Sequence, residues 1–158
     1  MRRAPLTGRI VVGLGVLLLA GGTASVWAGD GPHGKHLHLM IKVTATTPVD
    51  VDGSGDASIG DTLIEQGDLY TADGSTKVGD GYAVCTQVTA DQSLYDCQGS
   101  DLLPGGEIRE AGRVTDPSTF TWAVLGGTGK YVGAGGSVTG TSTDSTTIDY
   151  TISLTRSR

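Results

Sequence analysis

Nothing between residues 36 and 154 has the length or the apolar spacing that a long helix needs. Thr, Val, Tyr and Ile recur instead in short runs, with Gly, Asp, Pro and Ser between them. That is the chemistry of strands and tight turns. Alternation sharpens the reading. In TFTWAVL, Phe120, Trp122 and Val124 fall on one face. In TIDYTISL, Ile148, Tyr150, Ile152 and Leu154 share a face, with Thr147, Asp149, Thr151 and Ser153 opposite. Eight strands are predicted, at about 36–46, 61–70, 77–89, 93–101, 106–114, 119–125, 136–143 and 146–154. The connectors are mostly short. Asp73-Gly74 marks one hairpin tip, Pro104-Gly105 a second turn, and residues 142–146 a third. Short turns make successive strands antiparallel. Eight antiparallel strands in one small domain must close or stack to remove their edges. The expected fold is therefore all-β, an eight-stranded antiparallel up-and-down barrel whose lumen can hold one small ligand. A two-sheet sandwich is the structural alternative. With five Tyr, two Trp and one Phe in the whole chain, such a lumen is not crowded with rings.

The first 28 residues are not part of that domain. Arg2, Arg3 and Arg9 precede an apolar stretch from Ile10 to Ala20, and a small-residue region ends Val26-Trp27-Ala28. This pattern predicts an export signal cleaved after Ala28 and a secreted protein. The run from Ile10 to Ala28 also approaches the ~20 residues that span a bilayer, so an N-terminal membrane anchor is the alternative. The expected organisation is a signal at 1–28, a flexible segment at 29–35 and the barrel at 36–158. Three of the 11 Lys and Arg lie in the signal and none of the 17 Asp and Glu, so the remainder carries about −9. Such a surface repels nucleic acid and anionic lipid, and neither is expected as a partner.

Cys85 and Cys97 both lie in the exported part, where an oxidising compartment favours a disulfide. A hairpin centred on Asp91 places each cysteine six residues from the tip, facing the other across the ladder. The alternative is a free nucleophilic Cys85, which needs a base beside it, and no His lies nearby in the sequence.

Other motifs are weighed by position. The run GGTGKYVGAGG fails as a phosphate loop: Val124 stands at the first Walker glycine, Tyr131 follows Gly129-Lys130, and Val132 occupies the third dinucleotide glycine. It suits a barrel corner, and no cofactor is expected. In DVDGSGDASIGD, Asp50, Asp52, Ser54, Asp56, Ser58 and Asp61 fall at positions 1, 3, 5, 7, 9 and 12 of a calcium loop, with Gly55 at position 6. Against a calcium site stand the missing flanking helices and the short Asp61 arm. His33, His36 and His38 lack a third ligand close by and are expected in a solvated tail. No Gly-x-Ser-x-Gly elbow or local triad supports a hydrolase.

The ordered set GDTLIEQGDLYTADGSTKVG, VCTQV, LLPGGEIREAG and FTWAVLGGTGKYVGAGGSVTG resembles the allene oxide cyclase and dirigent-like barrel superfamily, in particular its secreted actinobacterial branch. The likeness covers about residues 37 to 154. It implies a calycin-like eight-stranded barrel with a hydrophobic lumen, often in dimers or trimers. The cyclisation activity carries over poorly. The positions of the cyclases' functional Glu, first Asn and second Asn fall on Leu39, Ile41 and Gly67, and their Ser-Pro becomes Thr47-Pro48; only Pro48 and Cys85 match. Allene oxide cyclisation is therefore not expected, since the groups that stabilise its charge are missing. Other members act by shape, holding a reactant in a closed cavity.

Alternation and the matched Cys85 nominate Glu65, Cys85, Gln87, Tyr95, Cys97 and Trp122 as lumen residues, and the resemblance adds Pro48 as a ligand contact. Glu65 is the one acid among them, and burial would raise its pKa and suit it to act as an acid. The expected function is a barrel that binds a small hydrophobic metabolite and steers its cyclisation or coupling. A non-catalytic binding or structural barrel is the alternative.

Overall fold

A computed structural model describes residues 28–31 and 34–156; the expected export signal and His33 lie outside the described residues. The strands are β1 (Ala28–Gly31), β2 (Gly34–Val49), β3 (Thr62–Thr71), β4 (Lys77–Gln87), β5 (Tyr95–Leu103), β6 (Gly106–Val114), β7 (Thr119–Gly127), β8 (Ala134–Ser142) and β9 (Thr147–Arg156). Each pairs antiparallel with the next, and β2 pairs with β9 from Lys35↔Leu154 to Lys42↔Thr147. That last pairing closes β2–β9 into an eight-stranded up-and-down barrel and excludes the sandwich. All eight strands predicted from alternation are present. Of the expected N-terminal segment, residues 29–31 and 34–35 are described, and both stretches are strand. β1 pairs with Lys35 and His36 on the β2 edge that β3 does not reach, and β2 itself begins at Gly34.

Short polar motifs set the turns. Five turns carry an Asp-x-Ser/Thr motif of this kind, at 52–54, 73–75, 91–93, 116–118 and 144–146. In each, the Asp carboxylate accepts the backbone N–H two residues on, at 2.8–3.2 Å. Asp and Ser do this because a short polar side chain can replace a backbone acceptor in a turn. All five lie in connections between successive barrel strands.

Inward side chains sort along the barrel axis. Leu37, Leu39, Leu69, Leu103, Ile108, Val138, Ile152 and Leu154 are buried and fill the base. Each such side chain stabilises the fold by about 1.5–3 kcal/mol. The base is stoppered by the glycine run. After β7 the chain makes a 3-10 turn at Gly129–Tyr131, and the Tyr131 ring is buried in the core. Thr128 N–H donates to Glu107 O and Lys130 N–H to Gly105 O, both at 2.8 Å, locking this corner onto the β5–β6 turn. Gly129 sits at φ +58°, and a Cβ there would lie 2.1 Å from Gly105 O, so both the conformation and the approach require glycine. The corner has a structural role, with the Thr128 and Lys130 N–H groups engaged by backbone carbonyls.

Candidate functional site

Above the apolar base the barrel is hollow. A cavity of about 620 Å³ opens between the β4–β5, β6–β7 and β8–β9 connections, with Ser93, Pro117 and Asp144 at its mouth. Its walls carry Ile41, Leu63, Ala83, Tyr95, Val114, Phe120, Trp122 and Ile148. The volume is that of a site for a drug-sized ligand. Absent side chains make the room. Gly67, Gly81, Gly99, Gly112 and Gly140 stand where a Cβ would meet the inward side chains of their neighbours. A Cβ on Gly112 would lie 2.3 Å from Trp122 Cδ1, and one on Gly140 2.3 Å from the Phe120 ring. These glycines let the two rings lie against bare backbone, 4.5 Å apart at their centroids.

Three polar groups meet deep in this cavity. Asp101 comes from β5, Glu110 from β6 and Tyr150 from β9, all buried and all on the inner face. The Tyr150 hydroxyl lies 2.9 Å from Asp101 Oδ2 and 2.6 Å from Glu110 Oε1. A phenol has one proton to donate. It can therefore satisfy one carboxylate, while the other must itself carry a proton and donate to the phenol oxygen. The cluster thus holds a proton beyond the one on tyrosine. Burial agrees: desolvation pushes Asp101 up to about 7, and desolvation together with the Asp101 charge pushes Glu110 up to about 8. Burial and the two acids raise Tyr150 well above the usual phenol range, so it stays protonated. Among the described residues, two buried side-chain polar atoms have no hydrogen-bond partner, Glu110 Oε2 and Trp122 Nε1, and both residues line the cavity. Glu65 stands on the β3 wall, with its carboxyl pushed up by burial.

The expected site residues divide. Glu65, Cys85, Tyr95 and Trp122 line the cavity. Cys97 is fully buried and bonded to Cys85, its cross-strand partner, so no free thiol exists among the described residues. Gln87 does not line the cavity: its amide donates to Thr89 O at 2.9 Å, and its backbone holds the β2–β3 connection through Asp61 O and Gly60 N. Pro48 is exposed near the end of β2, beyond an irregularity between Val43 and Ala45 that breaks the alternation. Of the positions where the cyclases' polar groups would fall, Leu39 is in the apolar base and Ile41 packs over Gly67.

Asp101, Glu110 and Tyr150 were not among the nominated lumen residues, yet a signal for them exists. Counting in twos from the inward Cys97 reaches Gly99 and Asp101, and counting in twos from Ile108 reaches Glu110 and Gly112.

The acidic loop gathers Asp50, Asp52 and Asp61, each with a carboxylate oxygen within 4.8 Å of the others'. Those carboxylates already shape the loop: Asp50 accepts from Gly53 and Gly55 N–H, and Asp61 from Val51 and Ser58 N–H. His36 and His38 face outward on β2 and meet Ser153 and Thr151 hydroxyls at 3.0 and 3.2 Å. No helix among the described residues is long and apolar enough to cross a membrane. The disulfide matches an oxidising compartment.

No family model and no curated protein sequence matches this chain. Solved structures do. A pyocyanin demethylase is 25% identical, with a TM-score of 0.67 over 76% of this chain and 99% of its own. The pterocarpan synthase dirigent protein PsPTS1 is 16% identical, with a TM-score of 0.63 over 82% and 99%. The Diels-Alderase AbmU from Streptomyces koyangensis is 14% identical, with a TM-score of 0.62 over 75% and 61%.

Proposed function

We propose, from the premise that this chain is a dirigent and allene oxide cyclase-like barrel, that it takes a small, largely apolar molecule into its cavity and steers its cyclisation or coupling. The observation that carries this reading is the proton-bearing Asp101–Tyr150–Glu110 cluster, set in an apolar cavity beside a carboxyl oxygen that lacks a partner. Its neighbours include a dirigent protein and a Diels-Alderase, which supports steering as the mode of action. The walls hold the reactant in one conformation, and such positioning lowers a barrier by several kcal/mol (up to about 7–11). The cluster adds a general acid whose pKa lies near neutrality, where proton donation is most effective. Tyr150 bridges the two acids, so a proton given up by one carboxyl is redistributed through the phenol. We place this protein outside the cytoplasm, on the strength of the N-terminal apolar stretch and the disulfide.

Binding is tested with the neutral fluorophore N-phenyl-naphthylamine. The expected result is saturable one-to-one binding that is lost in Ala83→Phe, which fills the cavity wall. Absence of saturable binding, or binding unchanged in that variant, would sink the reading. Steering is then read from the handedness of products formed from phenolic radicals and from linear polyenes bearing a diene and a dienophile. Racemic product in every case would leave a binding barrel without turnover.

A further inference from the structure

The ionisable groups that line the cavity are all acids. Its lining includes four carboxyl groups, Glu65, Asp101, Glu110 and Asp144, and among the described residues no Lys, Arg or His. The basic residues nearest in sequence to Glu110 alternate to the outer face of β6: Arg109 and Arg113 are exposed, and Arg109 pairs with Glu107 at 3.1 Å. Asp101 and Glu110 are 3% and 4% exposed, yet Glu110 Oε2 accepts no hydrogen bond. An acceptor buried in that state is costly, and a ligand that donates to it recovers the loss. Around it stand aromatic faces, Phe120 and Trp122 in contact with each other and Tyr95 on the wall. Ring faces attract cations, more strongly when water is excluded. An anion here would be buried among carboxyls with no counter-charge, which is strongly unfavourable.

Resting on the reading of this cavity as a small-molecule site, we infer that its ligand is a flat, mostly apolar molecule bearing a positively charged nitrogen, directed at Glu110, and that carboxylate-bearing molecules are rejected. The empty cluster holds its proton in place of that charge. When the cation enters, one of the pair's protons leaves to solvent, the net charge of the cavity is unchanged, and the other stays to bridge the second carboxyl and Tyr150. Affinity for a fixed cation therefore rises with pH up to the range in which the pair ionises by itself, about 7 to about 8, and levels off above it. The other titratable groups facing the pair are Tyr150 on β9, Tyr131 beneath Asp101, Tyr95 on β5, Glu65 on β3 and Asp144 at the mouth; Tyr82 on β4 is exposed and turns its hydroxyl to Arg109 on the outer face. None of them supplies a competing positive charge.

Three bicyclic probes of similar shape test this by calorimetry: N-methylquinolinium, a fixed cation; quinoline, neutral above about pH 6; and naphthoate, an anion. N-methylquinolinium is expected to bind tightest near pH 8, by about tenfold or more over quinoline, with naphthoate weakest. Its affinity should climb by up to about tenfold per pH unit between about pH 6 and about pH 8, with proton release seen as a buffer-dependent heat. Glu110→Gln is expected to remove that slope and most of the preference over quinoline, while the unsubstituted protein's own pH series needs no variant to fold. Equal or tighter binding of quinoline or naphthoate would overturn the inference, as would a flat pH profile. So would failure of N-methylquinolinium to bind where N-phenyl-naphthylamine does. If the neutral fluorophore also fails to bind, the cavity reading itself falls.

Discussion

One phenol hydroxyl serves both Asp101 and Glu110, and this arrangement sets the response of the protein to pH. Burial raises both acids, so between about pH 4 and about pH 7–8 the folded chain keeps protons that the unfolded chain has released. Their stabilising contribution is therefore full below the unfolded carboxyl pKa, about 4, and is lost as pH rises through about 7 and about 8. The turn aspartates Asp73, Asp91, Asp116 and Asp144 act in the opposite sense. Hydrogen bonds lower them, so their contribution is present above about 4 and lost below it. Thermal unfolding followed by circular dichroism is expected to show maximal stability near pH 4–5 and a decline toward pH 8, on the order of 2–4 kcal/mol. Asp101→Asn should flatten that decline, and an unchanged slope would assign it to other groups. Glycine is equally specific in its effect. Gly112→Ala forces a methyl to 2.3 Å from Trp122 Cδ1 and is expected to lower stability by about 1–3 kcal/mol in urea, with a shifted indole emission. Gly135→Ala, whose Cβ would meet its nearest neighbour at 3.5 Å, is the near-neutral control.

Among the elements, the β4–β5 hairpin carries the one covalent cross-link of the described residues. Cys85 and Cys97 are direct cross-strand partners, 12 residues apart in sequence. Closing a loop of that length stabilises by about 3 kcal/mol in the chain-entropy picture. Cys85→Ser/Cys97→Ser should lower the urea midpoint accordingly and leave the slope of the transition nearly unchanged; no change in midpoint would show that native packing alone fixes the hairpin. This pairing was legible in the sequence because hairpin symmetry about Asp91 fixes the register. The strands were legible for the same kind of reason: in β7 and β9 the apolar side chains alternate without interruption. The site was less so. Asp101 and Glu110 look like ordinary polar strand residues until the inward phase of β5 and β6 is counted out, and their meeting with Tyr150 depends on closure that no local pattern encodes. Pro48 misled because β2 changes phase between Val43 and Ala45. Gln87 misled because it keeps the inward phase but lies past the cavity, in the connection it ties down.

Taken whole, the molecule is asymmetric along its axis, with packed aliphatic side chains and Tyr131 at one end and open volume with buried acids at the other. Opening free energy should follow that division. Amide exchange is expected to be slowest at Leu37, Ile108 and Ile152 and to approach the global unfolding value there. The mouth connections around Ser93, Pro117 and Asp144 should exchange orders of magnitude faster. Equal protection at both ends would contradict this picture. A saturating cavity ligand should raise the melting temperature and slow exchange at the mouth; at a concentration ~100 times its dissociation constant the gain is about 2.7 kcal/mol.

The pairing of β2 with β9 has a consequence for how the chain is made. His36 on the first barrel strand meets Ser153 on the last, 117 residues later. During synthesis, β2 emerges early and one of its edges has no partner until almost the whole chain has been released. Hairpins can form in order as they appear, but the ring cannot shut vectorially. The final step waits on the C-terminus, and until then the nascent protein carries an open sheet edge that a chaperone, a neighbouring chain or β9 itself must cover.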